Sequence, residues 1–287
     1  MRTATLAAVA AAYAALLASC SGEAKPAAST PPLPTASGAQ DPHATHAAEV
    51  GQAGSGAASL FARDVSGLVT ESRVSSGAVS GLLAQPSKPG TYPSVLMVHE
   101  WWGLNDNIET MARLLAAEGY RVLAVDLYGE VATTQEKAKE LSGKARADEA
   151  GTTAKLAAAA DWLRATGSGK LATLGWCFGG QQSLRASLAR PADATVIYYG
   201  NLVTDSGALA KLNGPVLGIF GDQDQSVPVA EVEKFRQALG QAGKPADIHV
   251  YPGVGHAFAN PSGARFAPGE TLDAWAKTLA FLEKSLR

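Results

Sequence analysis

Leu171-Ala-Thr-Leu-Gly-Trp176 followed by Cys177-Phe-Gly-Gly180 is the stretch on which the fold turns. Six residues with no charge and a β-compatible pattern read as a buried strand, and Gly179 to Leu188 reads as a helix. The strand therefore runs straight into Cys177, and the helix starts almost at once. Gly175 and Gly179, two residues either side of the cysteine, permit a sharp strand-to-helix turn and close packing of that helix on its sheet. A side chain at such a turn is pushed above the sheet at a helix N-terminus, where the positive end of the dipole favours a thiolate. The competing reading, a buried core cysteine in a chance glycine run, does not account for the strand before it and the helix after it.

The same alternation extends in both directions. Val69 to Val74 and Val79 to Ala84 read as a hairpin of short strands, and Ser94 to His99 as a continuous apolar strand. Asn107 to Ala117 carries apolar residues at helical spacing, and Gly119 closes it near the expected C-cap. Strand Arg121 to Val125 and helices Gln135 to Arg146 and Thr153 to Ala165 lead to the central motif. Beyond it come strands Ala194 to Tyr199, Val216 to Phe220 and Ile248 to Tyr251, with helices Ala230 to Leu239 and Thr271 to Leu286. All-apolar strands separated by helices predict a mainly parallel central sheet with helices on both faces. Connections this short leave no room for a large cap domain.

Ligands of such a sheet bind at the carboxyl ends of its strands. Asp222 and Asp224 follow one strand and compete for the acid's place, and Asp224 followed by Val227-Pro228 resembles a known hydrolase-family pattern. Tyr251-Pro-Gly-Val-Gly-His256 puts a histidine after the last strand. His249 lies inside a strand, and His99, at a strand end, precedes the cysteine. The order Cys177, Asp224, His256 is the nucleophile–acid–histidine order of the α/β-hydrolase fold.

From about residue 66 to 287 the chain resembles the dienelactone hydrolases. The resemblance rests on His99-Glu100-Trp101-Trp102-Gly103, Asp126-Leu127-Tyr128, Gly175-Trp-Cys177-Phe-Gly-Gly180, Asp224 with Val227-Pro228, and Gly255-His256-Ala-Phe258. It implies an α/β-hydrolase fold and a Cys177, Asp224, His256 triad. It also implies a Glu100 carboxylate that contacts the resting thiol until substrate displaces it, and an oxyanion hole from the backbone N–H groups of Trp101 and Phe178. One position departs from the pattern: an arginine that helps hold the substrate carboxylate in that family is here Asn260, with Arg265 further on. Trp101, Trp102, Tyr128, Tyr199 and Phe258 are expected to make an apolar, aromatic pocket that favours neutral esters. The expected activity is hydrolysis of activated carboxylic esters or enol lactones through a thiolate and an acyl-enzyme, with neither metal nor organic cofactor. Alternatives are a broad carboxylesterase or thioesterase and, from another class, a non-catalytic surface-tethered binding lipoprotein.

The N-terminus reads as an address. Arg2, an apolar run from Leu6 to Leu17, and Leu17-Ala-Ser-Cys20 resemble a bacterial lipoprotein signal. This predicts a signal peptide over 1–19 and a lipid on Cys20. Ser21 after the cysteine leans towards the periplasmic face of a Gram-negative outer membrane. Residues 20–58, rich in Ala, Pro, Ser, Thr and Gly, are expected to be a flexible tether carrying His43 and His46, with 59–287 as the hydrolase-like domain. Of the two cysteines, lipid on Cys20 leaves Cys177 as the single thiol. The net charge of -2, without a basic patch, gives no footprint for nucleic acid. A membrane-tethered monomer acting on a small ester or lactone is the expected form.

Overall fold

In β5 (Leu171–Trp176) and β3 (Ser94–Val98) every residue is buried, and successive side chains enter different cores. Val95 and Met97 point into one cluster, and Leu96 and Val98 into the other. This period-two division is what a strand covered on both faces must show. The computed structural model describes residues 61–287 apart from Ser168. The signal segment, Cys20 and the 20–58 tether with His43 and His46 lie outside the described residues.

The strands form one eight-stranded sheet in the order β1-β2-β4-β3-β5-β6-β7-β8. β1 (Val69–Ser76) and β2 (Val79–Pro86) are the expected hairpin, closed at Ser76 opposite Val79. β2 runs antiparallel to β4 (Arg121–Val125), and every later pairing is parallel, through β6 (Ala194–Tyr198) and β7 (Val216–Gly221) to β8 (Ala246–Tyr251). The mainly parallel sheet expected from the strand pattern is therefore present.

On one face lie α1 (Asp106–Ala117) and α7 (Pro268–Leu286), whose Ile108, Met111, Trp275 and Leu282 close the first core. The other face carries α2 (Gln135–Ala147), α3 (Glu149–Thr166), α4 (Phe178–Ala189) and α6 (Val229–Gln241). A short helix, α5 (Ser206–Leu209), is capped by Asp205 and falls below the length at which apolar spacing is visible in sequence. α3 begins four residues before the predicted Thr153. Asp148 ends α2 and caps α3 through the N–H of Gly151, so one residue serves both helices.

Candidate active site

Three loops and one helix start meet at the carboxyl ends of β3, β5, β7 and β8. Cys177 sits between β5 and α4 with φ 54° and ψ -119°. Its N–H donates to the Tyr198 carbonyl at 3.0 Å, and its own carbonyl accepts from Gly180 and Gln181 at 3.0 and 3.3 Å. Among the described residues only two other non-glycine residues have positive φ, Tyr199 (36°) and Ala257 (63°). Both belong to this site. Backbone in this region costs on the order of 1–3 kcal/mol per residue and persists where surrounding structure over-determines it.

The glycines explain how the turn is held. A Cβ on Gly175 would stand 2.1 Å from the Gly179 carbonyl, and a Cβ on Gly179 would stand 2.3 Å from the Val98 carbonyl. The first turn of α4 thus lies directly on the ends of β5 and β3. The N–H of Phe178, first residue of that helix, has no acceptor within the helix.

His256 Nε2 is 3.1 Å from Cys177 Sγ, and Nδ1 is 2.8 Å from Asp224 Oδ2. The other Asp224 oxygen accepts the N–H groups of Ser226 and Val227 at 2.7 and 3.0 Å. Burial opposes the Asp224 charge, yet its hydrogen bond to His256, the imidazole's field and the two backbone donors hold the carboxyl below its ordinary value. Burial also opposes charge on His256. The Cys177 sulfur and Asp224 outweigh it and raise the imidazole to about 10. The imidazole is therefore held as imidazolium between the sulfur and the carboxylate.

The rival residues go elsewhere. Asp222 is exposed, and its carboxylate accepts the Gly253 N–H at 2.7 Å, bracing the loop after β8. His249 lies on β8, 2.9 Å from Asp247. His99 is wholly buried with both ring nitrogens on backbone groups.

Glu100 lies 5% exposed, and its Oε2 accepts the Asn260 side-chain N–H at 2.6 Å. The resemblance put the resting thiol on Glu100 and set Asn260 in the place of the arginine that helps hold a substrate carboxylate. In the structure the sulfur lies on His256, and the Asn260 amide is spent on Glu100. The physical reason is that Asn260 Oδ1 accepts from Asn107 and from the backbone and hydroxyl of Ser262, which turns the NH₂ end inward. Nothing in the sequence spacing marks Asn107 or Ser262, because their partner is more than 150 residues away in one case. Burial pushes Glu100 up to about 7, partly offset by the field of His256 and the Asn260 hydrogen bond.

Of the expected pocket aromatics, Tyr199 and Phe258 are completely buried. Tyr199 packs edge-on against the His256 ring at 5.2 Å and against Phe258 at 5.6 Å. Tyr199 supports the histidine ring and Phe258 supports Tyr199, and neither, being fully buried, forms a pocket wall. Trp102 and Tyr128 are half-buried, with Trp102 edge-on to the buried Trp101 at 5.0 Å. This arrangement brings a thiol, an imidazole and a carboxylate into one hydrogen-bonded line, a set suited to acyl transfer.

Residues 79–286 match the profile of the dienelactone hydrolase family. A protein of Methylorubrum extorquens, provisionally named carboxymethylenebutenolidase, is 33% identical over 243 residues, covering 77% of this chain and 83% of its own length. A crystal structure from Klebsiella pneumoniae, provisionally described as a dienelactone hydrolase, superposes with TM-score 0.68 at 31% identity over 75% of this chain and 98% of that one. The metagenomic dienelactone hydrolase-like phosphotriesterase P91 shares the fold, with TM-score 0.70 at 23% identity over 77% of this chain and 100% of that one.

Proposed function

The chain belongs to the dienelactone hydrolase family and is a carboxylic-ester hydrolase, and from that premise we propose that it cleaves activated esters and enol lactones through a Cys177 thioester. One observation carries the proposal: the continuous line of Cys177 Sγ, His256 and Asp224, with contacts of 3.1 and 2.8 Å, mounted on a strained turn at the carboxyl end of β5.

The Cys177 thiolate attacks the carbonyl carbon, forming a C–S bond, and the carbonyl oxygen takes the negative charge. Backbone N–H groups of Trp101 and Phe178 stabilise that oxyanion. The C–O bond then breaks, and the His256 imidazolium gives its proton to the departing oxygen. Neutral His256 next takes a proton from water, the hydroxide attacks the thioester, and the carboxylic acid leaves as the thiolate is restored. Asp224 holds the Nδ1 tautomer throughout.

Sulfur chemistry narrows the substrates. A thiolate is expelled from a tetrahedral intermediate more readily than an alkoxide, so forward reaction requires a leaving group that competes with it. Enol lactones, aryl esters and thioesters meet that condition. Asn260, held on Glu100, supplies no cation for a substrate carboxylate, so neutral substrates are favoured.

The test is a panel of aryl esters, thioesters and enol lactones, each enol lactone paired as free acid and methyl ester. Wild type should turn over the activated substrates, with higher kcat/KM for the neutral member of each pair, and Cys177→Ala should abolish turnover. Activity retained by Cys177→Ala would overturn the nucleophile assignment. A preference for the free acid would overturn the charge argument.

A further inference from the structure

His99 is a buried titratable group that the mechanism above does not use. It follows β3 directly and is 0% exposed. Its ring is clamped between Tyr128, edge-on at 4.6 Å, and Phe178, stacked at 6.0 Å. Nε2 lies 3.3 Å from the Leu127 N–H and Nδ1 lies 2.5 Å from the Glu100 carbonyl oxygen. A backbone N–H can only donate, so Nε2 is the acceptor and the ring proton must sit on Nδ1. That proton is donated to the Glu100 carbonyl. Burial lowers the imidazole's proton affinity and keeps the ring neutral, as this pattern requires.

The Glu100 carbonyl and the Trp101 N–H belong to one peptide unit. No peptide bond among the described residues is cis. In a planar trans unit the carbonyl oxygen and the N–H hydrogen point in opposite directions. Whatever holds the oxygen therefore aims the hydrogen. Two donors hold it: His99 Nδ1–H from inside the core and the Gly103 N–H at 3.3 Å. The second comes from the same short loop, which the Trp102 carbonyl also ties to the Ala132 N–H at 2.8 Å. His99 holds the Glu100 oxygen directly from the core, because its other nitrogen grips the Leu127 backbone after β4.

We propose that His99 is a positioning residue for the reaction, whose neutral imidazole fixes the Glu100–Trp101 peptide so that the Trp101 N–H points at the developing oxyanion. This rests on the assignment of the Trp101 N–H to the oxyanion hole. His99 never touches substrate, and its effect passes through one peptide plane. An oxyanion donor that drifts off its line is worth little, because the acceptor charge exists only in the transition state.

The experiment separates oxyanion stabilisation from nucleophile strength. Full-length enzyme and the variants His99→Asn, His99→Gln and His99→Leu are compared by kcat and KM on a neutral aryl acetate, and by the rate at which iodoacetamide alkylates Cys177. Alkylation is a displacement at saturated carbon and forms no oxyanion. His99→Leu, lacking the donor, should lose about 10²–10³-fold in kcat, with KM within about threefold and alkylation within about twofold of wild type. The Asn amide nitrogen can stand where Nδ1 stands, so His99→Asn should recover at least tenfold of that loss. The Gln amide reaches the Nε2 place and cannot serve the Glu100 carbonyl, so His99→Gln should remain slow. Should His99→Leu fail to fold, the order Asn above Gln in kcat decides the question alone. A wild-type kcat in His99→Leu, a parallel fall of turnover and alkylation, or Gln equal to Asn would each overturn the proposal. Turnover that survives Cys177→Ala would instead overturn the underlying reading of the site, a distinct result.

Discussion

His256 is the residue whose altered proton affinity bears most directly on turnover. Its imidazole, ordinarily half-protonated near 6.5, is raised to about 10 by the Cys177 sulfur and Asp224 against the opposing effect of burial. A raised value keeps the ring protonated at higher pH, so the proton needed by the leaving oxygen is lost only as pH climbs through the raised value. The alkaline limb of kcat/KM should therefore lie well above pH 6.5, and Asp224→Asn should move it down. An alkaline limb near 6.5 in wild type would contradict the ion pair. Glu100 presents the opposite case. Its folded-state value of about 7 exceeds the ordinary 4.5 because burial disfavours the carboxylate. Its stabilising contribution is thus complete below pH 4.5 and is lost as pH rises through about 7, a cost of about 3 kcal/mol at most. Glu100→Gln, which keeps an acceptor for Asn260, should raise Tm at pH 8 and change it little at pH 4.5. A gain of equal size at both pH values would show that Glu100 is not penalised when ionised.

At the scale of elements, the first turn of α4 against the ends of β3 and β5 decides whether the site exists. The approach is backbone to backbone, and no side chain can yield to relieve a collision. Gly179→Ala would put a methyl 2.3 Å from the Val98 carbonyl and 2.4 Å from that of His99. The helix must move, and it carries both Cys177 and the Phe178 N–H with it. This substitution should cost about 1–3 kcal/mol, within the range for overpacked sites, and should reduce kcat far more than the change in Tm suggests. Gly240→Ala, at a helix position where an added Cβ meets nothing, is the matched control and should be silent or mildly stabilising. Equal effects of the two would mean that helix propensity, and not contact with β3, governs the result. Tyr199 shares this logic, since its positive-φ side chain, like that of Cys177, meets the imidazole.

At the scale of the whole molecule, the domain is tied at its described N-terminal edge. Phe61 packs edge-on against Phe266 at 6.0 Å, Val65 is buried in the first core, and Arg63 pairs with Glu118. Removal of residues up to 58 should leave Tm and kcat unchanged, whereas removal through Val65 strips these contacts and should lower Tm. An equal Tm for both truncations would show that this edge is not part of the domain. Attachment of the chain to a membrane by lipid on Cys20 is proposed on Leu17-Ala-Ser-Cys20 alone. On that proposal the mature protein begins at Cys20 and sediments with membranes, and Cys20→Ala releases it. An unmodified Cys20 in mass spectra would end the proposal.

The sequence by itself determined what depends on neighbours along the chain. Strands, helices and the Gly-x-Cys-x-Gly turn were legible because side-chain period and glycine freedom act over a few residues, and parallel order followed from all-apolar strands. Its errors at this level were local too: α5 was too short to show a period, and α3 started early because Asp148 serves as a cap. Chain order brought out Cys177 and His256, and a dipeptide after Asp224 favoured it over Asp222, yet only folding showed which carboxylate meets the imidazole, a contact 32 residues apart. The tertiary structure alone decided that Asn260 is committed to Glu100 across 160 residues, that Tyr199 and Phe258 back the histidine, and that His99 grips the Glu100 peptide. The reason is physical. A buried polar group must find its partners within about 3 Å, wherever in the chain they lie. Those partners are chosen by how α1, α4 and the loops after β3, β4 and β8 pack together, which no local pattern of residues encodes.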